Sequence, residues 1–513
     1  MDSHSQSQSH GHIVMLPFMA HGHLIPFLAL ARRIRRQTPF VITLATTPLN
    51  PKYLCSTMSP SDADSGIRLY ELPFCSSDHG LPPNTENTEN LSPNQIVALF
   101  HSGASLAAPV ECLISDITTE EGRPPVCVIS DVFFGWSVDA ARRHGTKSIA
   151  FTTTGAYGTL AYISLWLHLP HRWTDAKEFS VPGFPEWCRF HCSQLHRYIR
   201  EADTTDEWSK FFQVQLKLSL ASDGWFCNSV EEIEPLGFDL LKKFLKVPVW
   251  AIGPLVPSHM LQKSSPNSPN SRSKSFQKYT GKALGVSLEK FGDFLNSHSP
   301  NSVLYISFGS QNTISASQMM QLAIGLESSG KPFVWVIRPP LGFNIKGEFR
   351  SEWLPPGFED RVTGSRQGLL VRNWAPQLYI LSHRSTGAFL SHCGWNSIVE
   401  SLSQGVPIVG WPMAAEQAYN AKMIVEEMGV CVELTRGIES QIDAKKVQRV
   451  IELVLKEEGK GGEMKKRANA VMGKMREAVK EGSDDDKGSS VKAIDEFVRT
   501  VLCDSTNYTV SFR

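Results

Sequence analysis

Residues 389–401 read FLSHCGWNSIVES. Ala388, Phe389 and Leu390 form the apolar end of a buried strand, and from Trp395 onward Ile398, Val399 and Leu402 fall at helical spacing. Cys393 and Gly394 make the turn between them. A helix beginning at such a turn presents unpaired backbone amides and the positive end of its dipole, which together attract an anion. Asn396 and Ser397 add side-chain donors, and His392 adds one more. The chemistry this spacing points to is phosphate binding. Taken singly, the same residues have plainer readings: Asn396 or Ser397 as helix caps, Glu400 as a solvated helix residue, Trp374 as core. Only their joint spacing favours a site.

The elements that must position these residues alternate along the chain. HIVMLPF (12–18) reads as a central strand, and the helix after it carries Leu24, Phe27, Leu28, Ala31 and Ile34 on one face. Four arginines near that helix's end complement its dipole better than they make a nucleic-acid patch. Strands follow at 40–46, 126–134 and 148–154, with a helix near GWSVDAARRHG. The segment 257–276 is rich in Ser, Pro, Asn and Lys and reads as a linker or large loop. The alternation then restarts, with strands at 302–310, 333–339, 368–374, 386–392, 405–411 and 429–434. The expectation is an α/β chain of two tandem, doubly wound parallel sheets. His23, Asp131, Thr153, Ser310, Trp374 and His392 all lie just after predicted strands, where open α/β sheets bind ligands, so two facing sheets would gather all six at one cleft.

Length and composition agree. At 513 residues the chain is too long for one ordinary core. It is 41% hydrophobic and 20% charged, and its 51 basic residues balance 51 acidic ones, which gives no basic face for nucleic acid. Ten cysteines without regular spacing suit free thiols in a reducing compartment. Cys188 and Cys192 flank His191 but lack the second ligand pair of a zinc knuckle, and the paired histidines in HGH at 10–12 and 21–23 are not taken as metal ligands. MDSHSQSQSHGH is read as a disordered tail, and no run reaches the ~20 apolar residues of a membrane span, so a cytoplasmic location is expected. The NYT at 507–509 is a sequon without meaning in a cytosolic chain. No GxGxxG, Walker loop or GxSxG elbow is present.

The segment from Trp374 to Gln417, WAPQLYILSHRSTGAFLSHCGWNSIVESLSQGVPIVGWPMAAEQ, closely resembles the 44-residue signature box of plant UDP-dependent glycosyltransferases that act on small molecules. GHLIP, SDVFF and SVLYISFGS resemble the same family elsewhere, while residues 50–120 and 155–220 carry little resemblance. One departure is Leu288 and Phe294 near positions where relatives often have Cys and Trp, which is expected to alter packing only. The resemblance implies a GT-B fold of two Rossmann-like domains facing across a cleft. Residues 1–256 would form the acceptor domain, joined by the last helix (about 490–513), with a linker at 257–280 and the donor domain at 281–489.

Carried over residue by residue, the resemblance implies that Trp374 stacks on uracil, that the Ala375 backbone pairs with the uracil edge, and that Gln377 and Glu400 bind the ribose. His392, Asn396, Ser397 and Ser310, with the turn amides around Gly394, would hold the diphosphate. Trp395, Glu416 and Gln417 would meet the sugar, with Thr153 reaching over from the other domain. Gln417 closing the box suggests UDP-glucose. His23 is the implied general base and Asp131 its partner, with His21 left as the alternative in HGH. The helix end is expected to keep the His23 ring neutral, and His392 with the helix end Trp395 onward to supply positive charge, so that neither a metal nor another cofactor is needed. The implied reaction is an inverting transfer that yields a β-glucoside, carried out by a monomer on a UDP-sugar and a small lipophilic acceptor. Loops at 74–103, 133–137 and 155–200, with Phe133, Phe134, Trp136, Tyr157, Trp166 and Trp187, either line the acceptor pocket or form core. Within the transferase reading the alternative is the same transfer from another UDP-sugar; two other readings are a noncatalytic UDP-sugar-binding protein, against which His23 and Asp131 argue, and a nicotinamide-dependent oxidoreductase, against which the missing glycine fingerprint argues.

Overall fold

Near-continuous apolar runs such as HIVML, VITLAT and KSIAFT cannot leave a face in water, so they pair side by side and are covered by helices on both faces. The computed structural model describes residues 11–58, 62, 66–89, 91–261, 284–437 and 440–502. Most of the polar tail, the Ser/Pro-rich segment from 262 to 283 and the NYT sequon lie outside the described residues. The segment's first residues do not read as linker in space. Ser258–Leu261 is a helical turn with Met260 and Leu261 buried, and Gln404 Nε2 donates to the Met260 carbonyl (3.2 Å).

The first sheet contains β1 (His12–Leu16), β2 (Val41–Thr46), β3 (Ile67–Glu71), β4 (Cys127–Asp131), β5 (Lys147–Thr152), β8 (Gly224–Cys227) and β9 (Val249–Ala251), in the order β3-β2-β1-β4-β5-β8-β9, all parallel. A small antiparallel hairpin, β6 (Glu178–Ser180) with β7 (Arg189–His191), stands apart. The second sheet contains β10 (Val303–Ser307), β11 (Phe333–Ile337), β12 (Gly368–Arg372), β13 (Thr386–Ser391), β14 (Ile408–Gly410) and β15 (Cys431–Glu433), ordered β12-β11-β10-β13-β14-β15 and also parallel. The winding reverses between β1 and β4 in one sheet and between β10 and β13 in the other. Such reversals open a crevice at the carboxyl ends of the strands.

One apolar cluster runs through both domains. It joins Val14, Tyr157, Leu160 and Trp166 of the first to Trp395, Ile398, Tyr419 and Ile424 of the second. The arginines of the first helix, His21–Gln37, serve the fold: Arg33 donates to the Ile252 carbonyl (2.8 Å), and Arg32 forks onto Asp62 (2.9 and 2.8 Å). Asn94–Glu121 is long and apolar enough to cross a membrane, but it is broken into two helices and a 3-10 turn. Leu99, Val110, Ile114 and Ile117 from it enter the core.

The last helix, Ser489–Leu502, packs on the first sheet, not the second. Val491, Ile494, Val498 and Val501 repeat at helical spacing and are buried, and Phe497 sits edge-on to Phe226 (4.7 Å) and Trp250 (5.5 Å). Phe497→Ala is expected to cost about 3–5 kcal/mol by leaving a cavity between those rings. Urea melts of the native and variant chains check it, with loss of the transition tied to the first sheet as the expected signature.

Candidate active site

The first reversal carries an acid–base pair. β1 ends at Leu16, Ala20 is extended, and the helix starts at His21, so His23 falls in its first turn. Asp131 is the last residue of β4 and its side chain is fully buried. The His23 Nδ1–H donates to Asp131 Oδ2 at 2.6 Å, and the Phe133 amide holds Oδ1 at 3.1 Å. His21 turns elsewhere, with its ring against Tyr53 (centroids 4.1 Å apart) and Nδ1 3.9 Å from Glu89. Burial works against charge on His23. The charge and hydrogen bond of Asp131, with the charge of Glu416 across the cleft, outweigh it and raise its pKa above the ordinary 6.5. The helix end alone would have kept the ring neutral; two carboxylates that the sequence places far away reverse that direction.

The second reversal carries the anion site. Cys393 is left-handed (φ 63°), with its amide on Ser391 Oγ (3.2 Å), and the helix Trp395–Ser403 begins after Gly394. The first helical bond runs from the Ile398 amide to the Gly394 carbonyl (3.1 Å). Among the described residues, the amides of Trp395, Asn396 and Ser397 therefore have no acceptor. His392 is wedged between two turns: a Cβ on Gly309 (φ 76°) would lie 2.7 Å from its Nε2, and one on Gly394 2.5 Å. Burial and the neighbouring charge of Arg338 press its pKa down to about 4. At neutral pH His392 is uncharged, so the expectation that it supplies positive charge is corrected: it can offer a hydrogen bond only.

Around this turn, Gln377 Nε2 donates to Glu400 Oε2 (2.7 Å) and Ser397 Oγ (3.2 Å), while Tyr305 donates to Gln377 Oε1 (3.3 Å). Burial raises the Glu400 carboxyl to about 7, and the Gln377 bond offsets part of that. Gln417 Oε1 accepts from the Met413 and Ala414 amides (2.9 Å each), which leaves its NH₂ as the group to face a ligand. Glu416 Oε1 accepts from Asn420 (3.1 Å).

Two residues of the turn reach the other domain. Pro26 has no N–H for the Gly22 carbonyl four residues back, and Asn396 Nδ2 fills that place at 2.9 Å. The Trp395 indole N–H donates to the Asn228 carbonyl at 2.6 Å and its ring is buried. Trp395 was expected to meet the sugar; its indole is committed to the domain junction, and only its main-chain amide remains to offer.

These groups share one cavity of about 900 Å³, lined by every residue the sequence singled out for the site except Asp131, which stands behind His23. Thr153 and Ser310 line it from opposite domains. Its far end is apolar and aromatic: Phe18, Phe100, Phe133, Tyr162, Trp208 and Phe212. Of the six aromatics named from sequence, only Phe133 is among its lining. Phe134, Tyr157 and Trp166 are core, Trp136 is half-buried outside it, and Trp187 is 67% exposed. Phe18, Trp208 and Phe212 were missed, as was Arg338, which lines the same cavity. Cys188 lies against the Tyr157 hydroxyl (3.1 Å), and among the described residues no three His, Cys, Asp or Glu side chains gather as a metal site.

Two doubly wound sheets whose reversals face each other, one bearing a His–Asp pair and the other an anion-binding helix end, define the GT-B class of nucleotide-sugar-dependent transferases. Family models agree. "UDP-glucoronosyl and UDP-glucosyl transferase" matches residues 277–464, and "Glycosyltransferase, N-terminal domain" matches 10–257. Crocetin glucosyltransferase 3 of Crocus sativus is 44% identical, covering 92% of this chain and 96% of its own. UDP-glycosyltransferase 92A1 of Arabidopsis thaliana is 41% identical, covering 95% and 96%. The solved structure of UGT2 from Phytolacca americana with UDP-2fluoro-glucose and pterostilbene superposes with a TM-score of 0.73 at 25% identity, covering 96% and 99%. The chain belongs to the plant UDP-glycosyltransferase family and is a glycosyltransferase.

The pKa directions give a titration test. His23 is expected to titrate above 6.5 by ring NMR, and His392 near 4. Asp131→Asn removes the Asp131 charge that raises the His23 pKa, so that pKa is expected to fall while His392 stays where it is.

Proposed function

We propose that this chain transfers glucose from UDP-glucose to a hydroxyl of a small lipophilic acceptor (a flavonoid, another phenol or a terpenoid) and inverts the anomeric centre. The observation that carries the reading is the His23–Asp131 pair facing, across one cavity, the turn and signature residues from Trp374 to Gln417. Because Nδ1–H is held by Asp131, Nε2 is the atom free to take a proton. The acceptor oxygen attacks the anomeric carbon as its proton passes to Nε2. The bond from that carbon to the phosphate oxygen breaks on the opposite face, and UDP leaves. A single displacement from an α-linked donor gives a β-glucoside. Asp131 stabilises the imidazolium as it forms.

On this reading Trp374 stacks on uracil, and the Ala375 backbone takes its edge. Gln377 and Glu400 hold the ribose. Ser310, Ser397 and the amides at Gly394–Asn396 hold the diphosphate, so the charge of the leaving group needs no metal ion. Glu416, the Gln417 amide and Thr153 face the sugar. Relatives support the donor and acceptor classes by name: a crocetin glucosyltransferase, and a UDP-glucose flavonoid 3-O-glucosyltransferase of Fragaria ananassa at 33% identity. The aromatic far end suits a flat or apolar acceptor. We further propose that the enzyme works as a cytosolic monomer; the nine cysteines among the described residues are free thiols.

Mass spectrometry of reactions with UDP-glucose and a panel of flavonoids, simple phenols and terpenoids tests the reading. Hexose-shifted product is expected from the native chain, with a loss of about 10²–10⁴-fold in His23→Ala. Because His23 must be neutral to accept the proton, the rate is expected to rise with pH through a pKa above 6.5, and Asp131→Asn to move that inflection down. Product only with another UDP-sugar would revise the donor. UDP binding with no product from any pair would favour a binding protein.

A further inference from the structure

The corrected state of His392 leaves the diphosphate without a side-chain cation, and Arg338 stands where one is needed. It is the first residue beyond β11, which pairs with β10, so it lies at the carboxyl edge beside the second reversal. It lines the cavity with Ser310, Trp374 and His392. Nη1 donates to the Gly309 carbonyl at 2.7 Å, and Nη2 makes a long contact to the Asn373 carbonyl at 3.5 Å. Both acceptors sit on left-handed residues (φ 76° and 71°), so the two loops present their carbonyls inward and fix the guanidinium between them. Among the described residues no carboxylate lies within ion-pair distance of Arg338. Its electrostatic partners are more remote: Glu89, on the other domain, and the Tyr305 hydroxyl.

A guanidinium partly withdrawn from water with no close counter-ion has lost hydration that nothing charged replaces. Burial lowers the Arg338 pKa, but arginine stays charged, and neutral carbonyls satisfy only two of its five donors. The neighbouring imidazole has yielded instead, since Arg338 is one of the two causes that hold His392 neutral. Its remaining donors are left to water or to a ligand in the cavity. The planar fork matches two phosphate oxygens better than a point charge does.

We propose that Arg338 is the cation of the donor site, binding the diphosphate of the UDP-sugar and carrying the charge of UDP as it departs. The proposal rests on the UDP-sugar reading above and adds to it a phosphate-binding side chain from outside the signature box.

Calorimetric titration of UDP and uridine into the native chain, Arg338→Gln and Arg338→Lys tests it. The expected result is that Arg338→Gln weakens UDP by about ten-fold or more while uridine changes by less than about two-fold. Arg338→Lys, which keeps the charge without the fork, should recover part of the loss. A residue that merely braces the Gly309 and Asn373 loops would weaken both ligands together, and a parallel loss overturns the proposal, as does unchanged UDP affinity. If the native chain binds no UDP, the donor reading itself falls and takes the proposal with it; if it binds UDP and the ratio does not move, only the proposal falls.

Discussion

Pro26 sits within the helix that carries His23, and because it has no N–H it leaves the Gly22 carbonyl open. That carbonyl is left to a donor from outside the helix. Asn396 pairs with it, and Asn396 belongs to the anion-binding turn of the other domain. Gly22, the residue before His23, is thus tied to the turn that opens the Trp395–Ser403 helix, and the two crevices meet in one register. Asn228 extends the tie. Its carbonyl takes the Trp395 indole, its Oδ1 takes the Leu255 amide (2.9 Å), and its Nδ2 approaches Asn396 and the Thr153 carbonyl (3.4 Å each). A rigid-body slide of one sheet against the other breaks several of these bonds together, which is what keeps a 2.6 Å acid–base pair aimed at a site built by a different domain.

The cavity separates its titratable groups by environment. His23 is pushed up by Asp131 and Glu416, His392 is pressed down by burial and Arg338, and burial lifts Glu400 to about 7. Groups whose intrinsic values are close end up with different jobs. His23 sits beside carboxylates that favour its imidazolium. The His392 imidazole, buried and close to Arg338, stays neutral. The opposite arrangement, a charged His392 beside Arg338, would place two cations side by side.

The strands at sheet centres were legible because a parallel strand covered on both faces reads as an unbroken apolar run; β1, β4, β10 and β13 are such runs. IRLYE, GWFC and VWA, which form β3, β8 and β9, are short or carry charge, so their pairing is decided by neighbours and not by local pattern. Tyr157 and Trp166 look the same in sequence whether they line a pocket or fill a core. Burial beneath the hairpin and against Phe212 decides it. The charge of His392 was misjudged for a related reason: Arg338 lies 54 positions away in sequence and acts only through the fold.

Donor and acceptor ends differ in legibility because they differ in how the chain builds them. Trp374, Gln377, His392, Glu400 and Gln417 come from one continuous stretch that crosses a single reversal, so their spacing is itself a record of their geometry. The aromatic wall is assembled from separated pieces, among them Phe18 after β1, Phe100 before a 3-10 turn, Phe133 after β4, Tyr162 within Ala156–His168 and Phe212 within Glu207–Ser219. No local spacing links them, and each is free to change without disturbing the others' backbone. Loops and helix faces can vary over a sheet that stays fixed, so one fold can present differently shaped walls. The same architecture thus gathers one end of the cavity into a single stretch of chain and scatters the other.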